Sequence, residues 1–541
     1  MTVAEEMAAL IAAGAGSLGT GDWPAARDAF EKALALGEIP EALNGLGEAL
    51  WWLGETYSSI EYRERAYAGF RAKPDPEKAV DIALSLSIHY QANVGDAAVS
   101  SGWLARAKRV VEEFALDGYR GWIALFDAGE AGDLVIVEKL SREALELARE
   151  TGDPDLELCA LAQVGSALVS QGRIPEGVAL LDEAMAGSLG GEGGNFETVV
   201  FTSCNMIGSC TRCAEFARAV QWIRAADRFT RRYGCPFLYL YCRVHYGEIL
   251  IATGDWTEAE AQLTSALRES ENSQVPLHAY ASAALAGLRF MQGRLEEAEA
   301  LVQGSHGQGP ATPIVVSLHL ARRKPALAAS LARRALDDAD QLGRAWLVEL
   351  LGEAEVMLGD EAAAEARGRE LAERGATLDC GLIRARGERL RGRARGAPEH
   401  LDAALKEFAR IGIPYEIART QLTLAETLRD DEPLVAQAEA RAALATFEGL
   451  GAGRDADAAA ALLRGLGVKA ARLGPKGLGA LTKRESEVLA LLSDGLSNPQ
   501  IAERLYLSRK TVEHHVASIL TKLGATNRAE AVRLSGRIRQ R

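Results

Sequence analysis

The sequence predicts an all-α protein in two parts: a long solenoid of paired helices, followed by a small basic domain of four helices. A short phrase made of glycine, a polar residue and a bulky residue recurs at intervals near 40 residues. No stretch alternates apolar and polar residues as a half-buried strand would. The chain has a net charge of -14, yet residues 475–541 alone carry +6, so the rest carries -20. With 541 residues it exceeds the size of one compact core.

The recurring phrase predicts the turn between the two helices of a repeat. Glycine suits the left-handed cap that ends a helix, and small residues after it let the second helix approach closely. Each helical pair leaves an apolar face that only the next pair can cover, so the array has to be continuous. The clearest copies begin at Gly21, Gly132, Gly172, Gly254 and Gly293.

The spacing of 39–40 residues between copies resembles tetratricopeptide repeats of a longer variety. This resemblance implies a tetratricopeptide-like α-solenoid over residues 1–465, with roughly ten to twelve units and a surface that binds a protein or small ligand. Residues 55–110 match the phrase least well. A Gly-rich linker is expected at 466–477 and a separate domain at 478–541.

The third predicted helix of the C-terminal domain, at about 509–523, has the character of a DNA-recognition helix. A turn of only three residues (506–508) joins it to the helix before, as in a helix-turn-helix. Val512, Val516, Ile519 and Leu523 fall on one face. The opposite face holds small, polar and basic residues, which suit the major groove of double-stranded DNA.

Four motifs carry a specific resemblance to the LuxR-type helix-turn-helix: LTKRESEVL at 481–489, GLSNPQIA at 495–502, LSRKTVEHHV at 507–516 and KLG at 522–524. The resemblance implies a four-helix domain that binds DNA as a homodimer, paired through its fourth helix. Thr511 and Lys522 would contact phosphates. Glu513, where many relatives have lysine, would accept a hydrogen bond from cytosine or turn away. The expected DNA-binding residues are Ser508, Arg509, Lys510, Thr511, Glu513, His514, His515, Ala517, Ser518, Thr521 and Lys522.

Repeats joined to such a tail resemble the large ATP-dependent LuxR-type regulators, but the phosphate-binding motif G-x-x-x-x-G-K-[ST] does not occur in this chain. The sequence therefore predicts a regulator that is neither an enzyme nor dependent on a cofactor. We expect a cytoplasmic, bacterial transcription regulator that has no membrane contact, engages RNA polymerase and is controlled by an unknown protein or small ligand on the repeats.

Two alternatives remain open at the level of sequence. The protein could be an interaction scaffold with a minor DNA-binding role. It could also be a redox or metal sensor, because Cys210-x-x-Cys213 and Cys242-x-x-His245 mimic a zinc spacing within residues 204–245. We favour packing for these cysteines, and so expect no metal ligands. The arginine run at 384–395 is interpreted as a solvated helix face.

Overall fold

The computed structural model describes residues 2–72, 75–271, 274–305, 309–337, 341–468, 483–493, 495–505, 507–523, 525, 528 and 531–532. Helices dominate this part of the chain, and it contains no strand, so the all-α prediction is confirmed. No helix within these ranges is both long and apolar enough to cross a membrane.

The chain divides into two compact units. The first comprises residues 1–290 and 294–414, and the second comprises residues 291–293 and 415–541. Helices α1 to α8 span Val3–Thr20, Trp23–Leu36, Pro40–Trp52, Thr56–Ala72, Pro76–His89, Ala97–Phe114, Arg120–Glu130 and Leu134–Thr151. Helices α9 to α16 span Pro154–Gln171, Ile174–Gly190, Phe196–Arg212, Phe216–Tyr233, Pro236–Thr253, Trp256–Ser270, Val275–Met291 and Leu295–Val302.

The remaining helices complete the first unit and form the second. Helices α17 to α22 span Thr312–Ala321, Pro325–Ala335, Gln341–Leu358, Glu361–Thr377, Gly381–Arg395 and Pro398–Ile411. Helices α23 to α28 span Pro414–Thr427, Pro433–Leu450, Gly453–Gly465, Lys483–Ser493, Asn498–Leu505 and Arg509–Leu523. Helices α1 to α24 follow one another as twelve pairs, which we number as repeats one to twelve.

The predicted phrase marks the turn within a pair. Gly172 and Gly254 adopt left-handed conformations, with φ of 90° and 98°, and the second helix starts two residues later. Gly132 does not, because α7 already ends at Glu130 and the extended residue Ala131 follows it. Ala214 takes the left-handed role, with φ of 66°, in the turn between α11 and α12.

The stretch at 55–110, which matches the phrase least well, is helical too. Gly54 and Gly95 take left-handed conformations, with φ of 85° and 81°, and α4 and α6 start two residues after them. A π-helix at Tyr90–Val94 directly extends α5. The phrase is only partly present here, because Thr56 and Ala97 stand in place of the bulky residue, which agrees with the weak match.

First helices and second helices of the pairs differ in burial. In α9, 13 of 18 residues are buried, whereas in α8 only Ser141, Ala144, Leu145 and Ala148 are. A helix covered on several faces carries few charges, and a helix with one covered stripe is amphipathic. In this pair the first helix is enclosed by its neighbours, and the second helix presents a charged face to solvent. The first pair is the reverse, because α1 has only Gly14 buried whereas α2 has five buried residues.

The C-terminal domain has its own apolar core. Val488 and Leu492 of α26, Ile501 of α27 and Ile519 of α28 are buried together, and Ala531 joins them. Residues 531–532 are helical, but most of the expected fourth helix lies outside the described residues. At the start of α27 the main-chain N–H and the hydroxyl of Ser497 both donate to Gln500 Oε1.

We predict that Gly165→Ala destabilises the array, because a methyl group at this position would lie 2.7 Å from the carbonyl oxygen of Gly177 on the adjacent helix. Overpacking of this kind costs about 1–3 kcal/mol in the free energy of unfolding. The matched control is Gly102→Ala in α6, where nothing lies within 4 Å; it should stabilise the helix by up to about 1 kcal/mol. Urea unfolding followed by circular dichroism measures both, and equal midpoints for the two variants would contradict the packing described.

Candidate nucleic-acid interface

Helix α28 is fixed in the C-terminal domain by one apolar face. Val512 and Ile519 are fully buried, and Val516 is half-buried beside them. They pack with Leu489 of α26 and Ile501 of α27. The opposite side of α28 is consequently turned away from the core, as the spacing of its apolar residues predicts.

The start of α28 combines a polar cap with exposed basic side chains. The hydroxyl of Ser508 accepts the main-chain N–H of Thr511 at 3.1 Å and lies 2.7 Å from the Thr511 hydroxyl. Arg509 and Lys510, the next two residues, are exposed. The N-terminus of a helix has a partial positive charge, and the two cations add to it, so this end attracts anions such as phosphate.

Glu513 lies among these cations and is paired with one of them. Its Oε1 accepts a hydrogen bond from Arg509 Nε at 3.1 Å, one helical turn away, and both side chains are at least half exposed. An exposed pair of this kind is weak, usually below about 1 kcal/mol, so Glu513 can exchange this partner for another donor.

Two buried contacts brace α28 and the turn before it. Ser518 donates to Glu485 Oε1 at 2.6 Å, and Glu485 is buried in α26. Arg484 donates to the carbonyl oxygen of Leu505 at 2.5 Å, at the end of α27. The hydroxyl of Ser518 is thus engaged inside the domain. The pattern Thr482-x-x-Glu485 also fits a capping box, but Thr482 lies outside the described residues.

The remaining expected DNA-binding residues fall into three groups. Ala517 is exposed. Thr511 and His515 are half-buried. The side chains of His514, Thr521 and Lys522 lie outside what the structure describes, although their backbone belongs to α28. Their proposed DNA contacts stay predictions.

Six of the seven cysteines are buried within the repeats, and Cys204 is half-buried. Cys210 Sγ lies 3.8 Å from Met206 Sδ, and Cys213 Sγ lies 3.7 Å from the carbonyl oxygen of Cys210, so both face apolar or main-chain neighbours. His245 Nδ1 contacts Glu248 at 2.9 Å. Over the described ranges, no three His, Cys, Asp or Glu side chains converge as metal ligands would. The metal-sensor alternative therefore has no geometric support there.

Burial also suppresses thiol reactivity. It raises the pKa of Cys213 and of Cys235 to about 12, mainly because the thiolate would be desolvated. It raises the pKa of Cys159, Cys210 and Cys242 in the same way. Since the thiolate is the reactive form, these side chains have the character of packing residues.

The arginine run at 384–395 is not simply a solvated face. Arg389 is buried, and its Nη2 lies 2.5 Å from Oε1 of the buried Glu349, 40 residues earlier. Arg386 Nε lies 3.3 Å from the other oxygen of the same carboxylate. Arg386 and Arg389 thus connect α21 to α19 through ion pairs with Glu349. The sequence does not indicate these pairs, because Glu349 belongs to a different repeat.

Comparison with known families matches both parts of the chain. Residues 479–535 match the family described as "Bacterial regulatory proteins, luxR family". Residues 17–75 and 247–311 match the tetratricopeptide repeat. The C-terminal part is a LuxR-type helix-turn-helix domain, and the array carries tetratricopeptide repeats. Both resemblances inferred from the motifs are confirmed.

Known proteins resemble the chain over limited stretches. The transcriptional regulatory protein DegU of Brevibacillus brevis is 53% identical over 57 residues, which cover 10% of this chain and 24% of DegU. The DNA-binding transcriptional activator DevR/DosR of Mycobacterium tuberculosis is 46% identical over 85 residues, or 15% and 38%. The chain thus spans less than two fifths of the length of these two relatives.

Among solved structures, the crystal structure of the APC/C hetero-tetramer Cut9-Hcn1 matches with a TM-score of 0.40 and 12% identity. The match covers 85% of this chain and 96% of that one.

We predict that the cysteines resist alkylation in the native protein. Iodoacetamide at pH 8 should leave Cys159, Cys210, Cys213, Cys235 and Cys242 unmodified for hours, because burial keeps them as inaccessible thiols. The same treatment in urea, the control, should modify all seven cysteines. Mass spectrometry of the digested protein measures each site. Rapid native modification of Cys210 or Cys213 would revive the redox alternative.

Proposed function

We propose that this protein is a transcription regulator whose LuxR-type domain binds double-stranded DNA and whose repeats bind the partner that controls it. The observation that carries the proposal is the division of α28 into a buried apolar face and an exposed side with a basic start. Such a helix fits the major groove, where its side chains contact base edges while its ends contact phosphates.

The proposed contacts divide into positioning and sequence recognition. Arg509, Lys510, Thr511 and Lys522 bind phosphates, which fix the orientation of the domain and make affinity depend on salt. Glu513, His514 and Ala517 face base edges. Glu513 accepts from the N4 amino group of cytosine, leaving its pair with Arg509, since a carboxylate can accept but not donate.

The array supplies control without catalysis. Its negative charge keeps it away from the duplex, so the basic domain remains the DNA-facing surface. A protein or small ligand that prefers one shape of the array shifts the pairing of two C-terminal domains, and the shift cannot exceed its differential affinity. We place the protein in the cytoplasm as a homodimer on DNA, in contact with RNA polymerase.

We predict that Lys510→Ala weakens binding to all DNA sequences alike, because it removes one phosphate contact. The slope of log affinity against log salt should fall by about one unit. The matched control is Arg334→Ala, which removes an exposed cation from α18 in the array and should leave the slope unchanged. Fluorescence anisotropy of full-length protein with labelled DNA, between 50 and 300 mM salt as an order-of-magnitude range, gives the slopes.

We predict that Glu513→Gln, unlike Lys510→Ala, changes sequence preference rather than affinity for all sequences. It should change the preference at one base pair by about 1–3 kcal/mol and leave the other positions alone. If Lys510→Ala and Glu513→Gln alter a randomised site library identically, the proposed orientation of α28 in the groove is wrong.

A further inference from the structure

The first three repeats contact the sixth to eighth repeats along what we call the seam. Its members on one side are Trp23, Trp52, Thr56, Arg63 and Asn93, and on the other side Phe196, Glu197, Tyr233 and Gln274. Hydrogen bonds in the seam join residues that are 181 to 218 positions apart. Repeats of a solenoid ordinarily contact only their neighbours. The contacts of the seam join repeats that are distant in the chain and so come in addition to those between neighbours.

Hydrogen bonds of buried side chains form part of the seam. Asn93 Nδ2 donates to Gln274 Oε1 at 2.6 Å, and Gln274 Nε2 donates to Thr56 Oγ1 at 3.4 Å. Trp23 Nε1 donates to the carbonyl oxygen of Tyr233. Separating the two sides would break all three bonds together and admit water to the groups that form them.

An aromatic contact completes the seam. Phe196 meets the stacked pair of Trp23 and Trp52 edge-on, at centroid distances of 5.6 and 6.0 Å. Edge-to-face pairs of this kind contribute about 0.5–1.5 kcal/mol beyond their buried area. The contact stabilises the closed seam at any pH, because none of the three rings titrates.

Arg63 reaches across the seam and is nearly fully buried. Its Nη2 lies 3.9 Å from Glu197 Oε1, and its Nε has no hydrogen-bond partner within the described ranges. The charge of Arg63 lowers the pKa of Glu48, while burial raises it and has the larger effect. Arg63 is therefore a buried charge whose only close carboxylate partner in the described residues is 3.9 Å away. The cost of removing its charge from water is then close to the electrostatic attraction that it gains.

His89 is 1% exposed and lies close enough to Arg63 for the charge of the guanidinium to act on it. Its ring stacks on Trp51, with centroids 5.3 Å apart and planes 4° apart. Neither ring nitrogen has a hydrogen-bond partner in the part of the chain that the structure describes. Burial, and to a lesser degree the charge of Arg63, hold the pKa of His89 well below its usual value. The π-helix that follows His89 carries Asn93 into the seam.

We propose that the seam is an acid-released clasp, in which protonation of His89 beside Arg63 separates the first three repeats from the sixth to eighth. The imidazolium would be buried without an acceptor and next to a second cation. Opening the seam relieves both costs, because water then solvates His89 and Arg63. The repulsion between protonated His89 and Arg63 acts on a side chain that spans the seam. The π-helix that follows His89 also transmits any shift of His89 to Asn93.

The direction of the pH dependence follows from proton linkage. Once the seam opens, a solvated His89 binds a proton below about pH 6.5, whereas the closed form keeps the ring neutral. The closed seam is therefore fully stable above that pH and loses stability as the pH falls. One proton taken up on opening changes the opening equilibrium by about tenfold per pH unit.

The charged groups around His89 and Arg63 come from three helices: Arg63 from α4, Glu48 from α3 and Glu197 from α11. Glu48 opposes His89, because its carboxyl has a raised pKa and takes up a proton more readily in the closed seam. Glu48→Gln removes this opposing effect and should make opening steeper. The clasp involves no DNA contact, so its failure would leave the proposed function intact.

Hydrogen exchange of the full-length protein at pH 7.5 and pH 5.5, corrected for intrinsic exchange rates, tests the clasp. Residues 52–60, 90–96 and 230–237 should lose about tenfold of their protection at the lower pH. Helix α18, whose buried residues pack in a separate apolar cluster, should keep its protection. His89→Phe retains a ring to stack on Trp51 but cannot take up a proton, so the loss should disappear. His319→Gln, in α17, is the matched control and should keep the loss.

Circular dichroism first shows whether each variant folds. If His89→Phe loses helix content, Glu48→Gln serves instead, with a loss of protection greater than that of the wild type. Equal protection at both pH values in the wild type would overturn the proposal. So would an unprotected seam at pH 7.5, or a loss of the same size in a folded His89→Phe variant.

Discussion

The left-handed residue that ends the first helix of a repeat is the constraint on which the array depends. Gly172 and Gly254 reverse the chain within two residues. Where aspartate follows, as at Asp255, its side chain accepts a main-chain N–H of the next helix and starts it. So tight a turn brings the two helices of a pair so close that only glycine fits at the nearest approach, as at Gly165. Stacking of the pairs, and hence every longer contact, follows from this spacing.

Local periodicity explains which parts of the array the sequence could predict. The phrase and its spacing locate the turns, because each turn is specified by adjacent residues. The phrase is weak at Gly54 and Gly95, where Thr56 and Ala97 replace the bulky residue, and it is interrupted at Ala214, where an alanine bears the strain of a positive φ. The seam left no periodic signal, because Asn93 and Gln274 lie 181 residues apart. The same holds for the buried Arg389 and Glu349.

In the C-terminal domain the face of α28 could be predicted, but the bracing of that face could not. Val512 and Ile519 are buried as their spacing indicates. Glu485, by contrast, fits a capping pattern in the sequence and yet accepts a hydrogen bond from Ser518 of another helix. A carboxylate has several acceptor sites, so sequence pattern alone cannot select its partner. Ser518 consequently holds the recognition helix in place, whereas Arg509, Lys510 and Glu513 remain on its exposed side.

The two parts of the chain have opposite charge and different physical tasks. The array carries a net charge near -20 and buries the ion pair of Arg389 and Glu349, while the tail carries +6 and exposes Arg509 and Lys510 at the start of α28. Under the proposed function, α28 is the helix that recognises DNA. Selection of DNA by the full-length protein from a randomised duplex library is the most direct test. We predict two similar half-sites whose centres are about one helical turn, or 10 base pairs, apart. No enrichment over the input library, or enrichment of single unpaired sites, would contradict the account.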